Sequence, residues 1–215
     1  MKEDGSVKTI EEEIPEDHKS IAKMIRYSPR QVTIPPRGSQ IIRLMLRKKS
    51  GTKDGEYRSN VVFRNVPKDV GENLDKAITK EGEVGVKITP IFGISIPVIV
   101  RQGELNATPS LSDMKLTKDK DGFQKVELKL HRKGNRSVYG HFKVNYTPPS
   151  DDKPIQVGVI KGIAAYNNIE SRPVEINLNV PEGVTLKKGG TLKVSFEEDR
   201  DMGGDATAEQ SITIL

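Results

Sequence analysis

QKVELKLHRKGNRSVYGHFKVNY, residues 124–146, decides the fold class. Val126, Leu128 and Leu130 share one parity, Gly134-Asn135 marks a turn, and Val138, Phe142, Val144 and Tyr146 resume the alternation. A period of two is the signature of a strand with one buried face, so this stretch predicts two strands about a turn. Working outward, Val157–Ala165, Val174–Val180, Thr191–Phe196 and Gln210–Ile214 carry similar short apolar runs between turn residues. On the other side, Ile42, Leu44 and Leu46 alternate with Arg43 and Arg47, and Glu56–Val66 follows the turn Lys53-Asp54-Gly55.

Many short strands punctuated by turns predict an all-β chain of two immunoglobulin-like β-sandwich domains. A length of 215 residues suits two domains, and the polar stretch Gly103–Pro109 is the expected boundary, giving domains 1–104 and 105–215. With no Cys and three scattered His (His18, His131, His141), a disulfide framework, a thiolate nucleophile and Cys-ligated zinc are excluded. No run approaches a membrane span in length, so no membrane span is expected.

The net charge of +5 is unevenly spread: residues 1–20 hold seven acidic and three basic residues, residues 21–68 twelve basic and two acidic, and residues from Leu105 onward sixteen basic and fifteen acidic. Two domains with different surfaces explain this asymmetry. The basic stretch 21–68 is either a set of solvated strand faces or a polyanion-binding surface. Few aromatic residues accompany it, so no nucleic-acid partner is favoured.

One run stands apart. Val84, Val86, Ile88, Phe92, Ile94, Ile96, Val98 and Val100 all fall on even positions, with Ile91, Pro97 and Ile99 on the opposite parity. A strand apolar on both faces and carrying proline does not suit a sheet centre, because proline donates no ladder hydrogen bond. It reads as an edge open to pairing with another chain, a covered edge, or two strands broken at Pro90. The polar stretch Asp69–Gly82 before it reads as a mobile loop.

Catalytic and metal motifs fail. No serine sits in a nucleophile signature, and the chain reads as a binding protein rather than an enzyme. Asp199, Asp201 and Asp205 imitate a calcium loop, but Gln210 stands where the closing bidentate Glu belongs. Asp119-Lys120-Asp121-Gly122 likewise reads as a turn. No cofactor and no metal is expected.

YSPRQVTIPPRGSQIIRLMLR, residues 27–47, and DGEYRSNVVFRNVP, residues 54–67, resemble the amino-terminal domain of periplasmic pilus-assembly chaperones. The carrying features are the turn from Pro36 to Gln40 feeding a strand with Arg43, the pair Val66-Pro67, and the even-position run after 69–82. The resemblance covers residues 21–104, and the second half matches it in being a second sandwich of suitable size. It implies a chaperone that lends an edge strand to fimbrial (pilin) subunits lacking one, in the periplasm, with an outer-membrane usher as a further partner. The implied subunit-binding residues are Val84, Val86, Ile88, Ile91, Phe92, Ile94, Ile96 and Ile99, with either parity facing the subunit.

Family members hold the subunit's terminal carboxylate with an Arg and a Lys. Here the Lys position falls at Pro97, and Lys87 is the substitute candidate. Glu56 and Arg101 match an interdomain structural pair, which a carboxylate from Glu197–Asp201 should complete. The first strands and a signal peptide are expected upstream of an internal Met1. The alternatives are a structural or adhesive two-domain surface protein that donates no strand, and a polyanion binder acting through residues 21–68.

Overall fold

A computed structural model describes residues 21, 23–47, 50–66 and 90–215. The described chain is all-β, with one short 3₁₀ turn at Arg200–Met202 and no α-helix among the described residues. Two compact units emerge: one holds Ser50–Glu56 and Arg101–Leu215, and the other holds the described residues within 20–49 and 57–100.

The first unit is an immunoglobulin-like sandwich of seven strands. β5 (Ala107–Lys118), β6 (Gln124–Gly134) and β9 (Ser171–Asn177) form a three-stranded sheet in the order β5-β6-β9. β7 (Val138–Thr147), β8 (Ile155–Ala165), β10 (Thr191–Glu198) and β11 (Thr207–Thr213) form a four-stranded sheet in the order β11-β10-β7-β8. All named pairings are antiparallel. The fourth strand of this sandwich, β8, joins β7 rather than the opposite sheet where a constant-type immunoglobulin domain keeps its fourth strand. One corner is stitched by a bridge between Gly158 and Leu178, and by the Asn179 N–H donating to the Val157 carbonyl at 2.7 Å.

The alternation explains the core. Val126, Leu128 and Leu130 of β6 meet Val138, Phe142 and Val144 of β7 and Leu192, Val194 and Phe196 of β10, all buried. Phe142 and Phe196 pack with ring centroids 4.9 Å apart in a tilted pair, a geometry favoured by the ring quadrupoles. Tyr146 is buried too, and its hydroxyl oxygen accepts the Lys187 N–H at 2.9 Å, satisfying its polar end.

Two departures from the expected strands share a cause. β5 spans Ala107–Lys118, where the sequence shows no clean alternation, because a bulge falls between Ser112 and Lys115. Asp113 takes φ 56° there, and the inward parity changes from Pro109 and Leu111 to Met114 and Leu116. β8 carries two such irregularities, so Val157 and Gly158 are both buried, as are Ile163, Ala164 and Ala165.

In the second unit the described strands form two ribbons. β1 (Ile25–Ser28) pairs antiparallel with β2 (Arg43–Leu46), and β3 (Gly55–Arg64) pairs with β4 (Gly93–Gln102). Residues 55–56 and 101–102, at one end of the second ribbon, belong to the first unit. The register of β1 and β2 sets Ile25 beside Leu46 and Tyr27 beside Leu44 on one face, and Arg26 beside Met45 and Ser28 beside Arg43 on the other. Arg26 and Arg43 thus share the face opposite Ile25, Tyr27, Leu44 and Leu46. Gln40–Ile42 lie outside the strand expected to begin there.

Candidate functional site

β4 pairs with β3 alone among the described strands, and no described strand lies on its other edge. The Asn65 N–H donates to the Phe92 carbonyl at 3.1 Å at one end of the ladder, and Glu56 meets Arg101 at the other. These ends make the pair antiparallel. Read between them as an unbroken ladder, Phe63 lies opposite Ile94 and Val61 opposite Ile96, a single apolar face. Ile94 is 68% exposed and Ile96 49% exposed, whereas Val98, Ile99 and Val100 are half-buried. Alternating apolar side chains on a strand edge with no described neighbour are one of the features that strand addition uses.

The long even run does not begin as strand in the described region. β4 starts at Gly93, three residues after Pro90, and Ile91 and Phe92 lie before it in extended coil, both exposed. The Phe92 N–H is taken by the Asn65 side chain at 2.6 Å rather than by a ladder carbonyl. Ile99 sits on the parity of Pro97 and Arg101, away from Ile94 and Ile96. Val84, Val86, Ile88, the candidate anchor Lys87, Pro67 and the expected loop 69–82 lie outside the described residues.

At the base of the ladder the Glu56 side chain is fully buried, and Arg101 donates to it from Nε at 3.1 Å. The expected second carboxylate, from Glu197–Asp201, is absent from this contact. Arg101 instead donates from Nη1 to the Met202 carbonyl, just past Glu197–Asp201. Glu198 faces inward and takes Arg136 in a two-point pair, at 2.6 and 2.8 Å. The hydrogen bonds that Arg136 donates to Glu198 raise the Arg136 pKa against the opposing effect of burial.

Sequence reasoning missed the residues that complete this cluster. Ser137 donates its N–H at 3.0 Å and its hydroxyl to the Glu56 carboxylate, while Asn167 donates from Nδ2 to the Glu56 carbonyl at 3.2 Å. Arg132 caps the carbonyls of Gly134, Arg136, Asn167 and Ile169, and burial pulls its pKa down while the charges of Glu56 and Glu170 oppose that. A signal existed: Arg132 continues the inward parity of Val126, Leu128 and Leu130, and Glu198 that of Leu192, Val194 and Phe196. A charge on the buried parity of a strand requires a buried partner.

The acidic loops are turns. Asp199 caps the 3₁₀ turn by accepting the Asp201 N–H, and Asp119 accepts the N–H groups of Asp121 and Phe123. No three metal-binding side chains converge among the described residues, and no helix there is long and apolar enough to cross a membrane.

The fold is that of an all-β, immunoglobulin-like protein, and no described strand covers the outer edge of its apolar strand β4. No family model and no curated protein matches this chain. Among solved structures it is similar to the crystal structure of DesR, a beta-glucosidase from Streptomyces venezuelae in complex with D-glucose, at 13% identity and a TM-score of 0.32. The match spans 52% of this chain but 15% of that one, and a likeness of this size bears on neither fold nor activity.

Proposed function

We propose that this chain is a periplasmic assembly chaperone that stabilises fimbrial subunits lacking a strand by lending them β4. The observation that carries this reading is the β4 edge, free of any described strand, with Ile94 and Ile96 exposed on one parity. A subunit sandwich missing a strand exposes an apolar groove and two rows of unpaired backbone groups. An added strand satisfies both at once. The resemblance of residues 27–47 and 54–67 to pilus-assembly chaperones supplies the partner class, and an outer-membrane usher is the receiver to which such a complex would be delivered.

The test is refolding of a pilin subunit, with and without an equimolar amount of this protein. Soluble one-to-one complex is expected with the wild-type chain and its loss with Ile94→Asp combined with Ile96→Asp. Equal yields of soluble subunit with and without the protein would refute strand lending. Binding to heparin that falls steeply with salt, in the absence of subunit capture, would instead favour the polyanion reading.

A further inference from the structure

We infer that Glu56 and Ser137 are positioning residues that lock the register of the β3–β4 ladder, and so decide which parity of residues 93–100 is offered at the β4 edge. The second clause rests on the strand-lending reading; the lock itself does not. Glu56 is held by backbone and side chain together: its carbonyl takes Asn167 Nδ2 at 3.2 Å, and its buried carboxylate takes the Ser137 N–H at 3.0 Å, the Ser137 hydroxyl and Arg101 Nε. Arg101, its neighbour across the ladder, is tied in turn to the Met202 carbonyl.

A slip of one residue would bring Gly55 or Tyr57 to the position of Glu56, and neither carries a carboxylate for Ser137. The buried donors would then go unpaired, a costly state in a sandwich interior. The remainder of the ladder specifies its register weakly. Exposed Val62 and Phe63 put apolar groups on both faces of β3, and Ile96 and Ile99 do the same on β4. A one-residue slip exchanges the two faces of a strand, and over residues 62–64 and 93–97, where both faces are exposed, burial opposes the slip little. The polar anchor at the ladder's base supplies the discrimination that the apolar pattern lacks.

The chain has no cysteine, so paired cysteines report the register cleanly. Phe63→Cys with Ile94→Cys probes the ladder read between the two end contacts; Phe63→Cys with Ser95→Cys or with Gly93→Cys probes the two slipped ladders. Disulfide formation requires opposed Cβ atoms on one face, so each pair reports one register. In the full-length chain with Glu56 intact, only the 63–94 bond is expected. In Glu56→Ala, the 63–94 yield should fall several-fold while 63–95 or 63–93 appears. Ser137→Ala should do the same to a smaller extent, and it carries the test if Glu56→Ala does not fold, as judged by its melting curve. An unchanged 63–94 yield overturns the lock, and so does loss of 63–94 without either slipped bond. No subunit is present, so this result stands apart from the outcome of subunit capture.

Discussion

Charged and glycine residues on the buried parity of strands are the points where single substitutions should tell most. Arg136 and Glu198 are both buried and joined by two hydrogen bonds, and the Ala206 N–H also reaches the Glu198 carboxylate at 3.1 Å. Removing one partner leaves the other charge buried without its counterion. Glu198→Ala is therefore expected to destabilise the sandwich by about 3–5 kcal/mol, measured by urea denaturation. A loss below about 1 kcal/mol would mean that water replaces the carboxylate freely. Gly140 is constrained differently: a Cβ there would run into the Glu197 carbonyl and the Phe196 ring. Gly140→Ala should cost about 1–3 kcal/mol through forced backbone displacement, again read from the denaturation midpoint.

At the scale of strands, the two units respond differently to apolar substitution. Phe142 is fully buried at the centre of the sandwich, and Phe142→Ala should cost about 3–5 kcal/mol. Ile94 and Ile96 lie exposed on the β4 edge, so Ile94→Asp and Ile96→Asp should each shift stability by only about 0.5 kcal/mol while abolishing subunit capture. Melting and capture measured on the same samples check this, and a large melting shift in either variant would show that the edge is covered. Legibility in the sequence followed strand regularity. β6, β7 and β10 keep one parity from end to end and were readable from it. β5 and β8 were obscured by bulges, where one extra residue moves the apolar set to the other parity. The short ribbon strand β1 offers four residues, too few for a periodic signal.

For the molecule as a whole, pH dependence comes from the outer face of the three-stranded sheet. The hydrogen bond and charge of Lys129 hold Asp113 below the usual carboxylate range, and hydrogen bonds from Lys125 and Thr117 do the same for Glu127. The same Glu127 and Glu175 contacts push Lys125 above the usual lysine range. For the two carboxylates, stabilisation is complete above their unfolded values, near pH 4, and is lost as pH falls through the lowered folded values. For Lys125 it is complete below the ordinary lysine value and lost as pH rises through the raised one. Melting temperature should therefore be flat near neutrality and decline in acid. Added salt should shrink that decline because these groups are exposed. Lys129→Met should flatten part of the acid limb, and an acid limb identical to the wild type would show that the Lys129–Asp113 pair, 2.9 Å long, contributes nothing in solution.

Alternation and turn residues alone determined that this chain is all-β and that its second half forms an immunoglobulin-like sandwich, because a strand half in water must repeat every two residues. The resemblance led to the expectation of an interdomain pair of Glu56 and Arg101; the two side chains meet at 3.1 Å with both residues inside the first unit. What only the tertiary structure decided are the partners brought together from distant segments. Ser137 and Asn167 close on Glu56 from 81 and 111 residues away, Met202 replaces an acidic side chain at Arg101, and β8 joins the sheet of β7. The reason is physical. Periodicity records which side of a strand avoids water, a local property, whereas a buried polar group is satisfied by whatever the fold brings within hydrogen-bond reach, and no spacing along the chain encodes that.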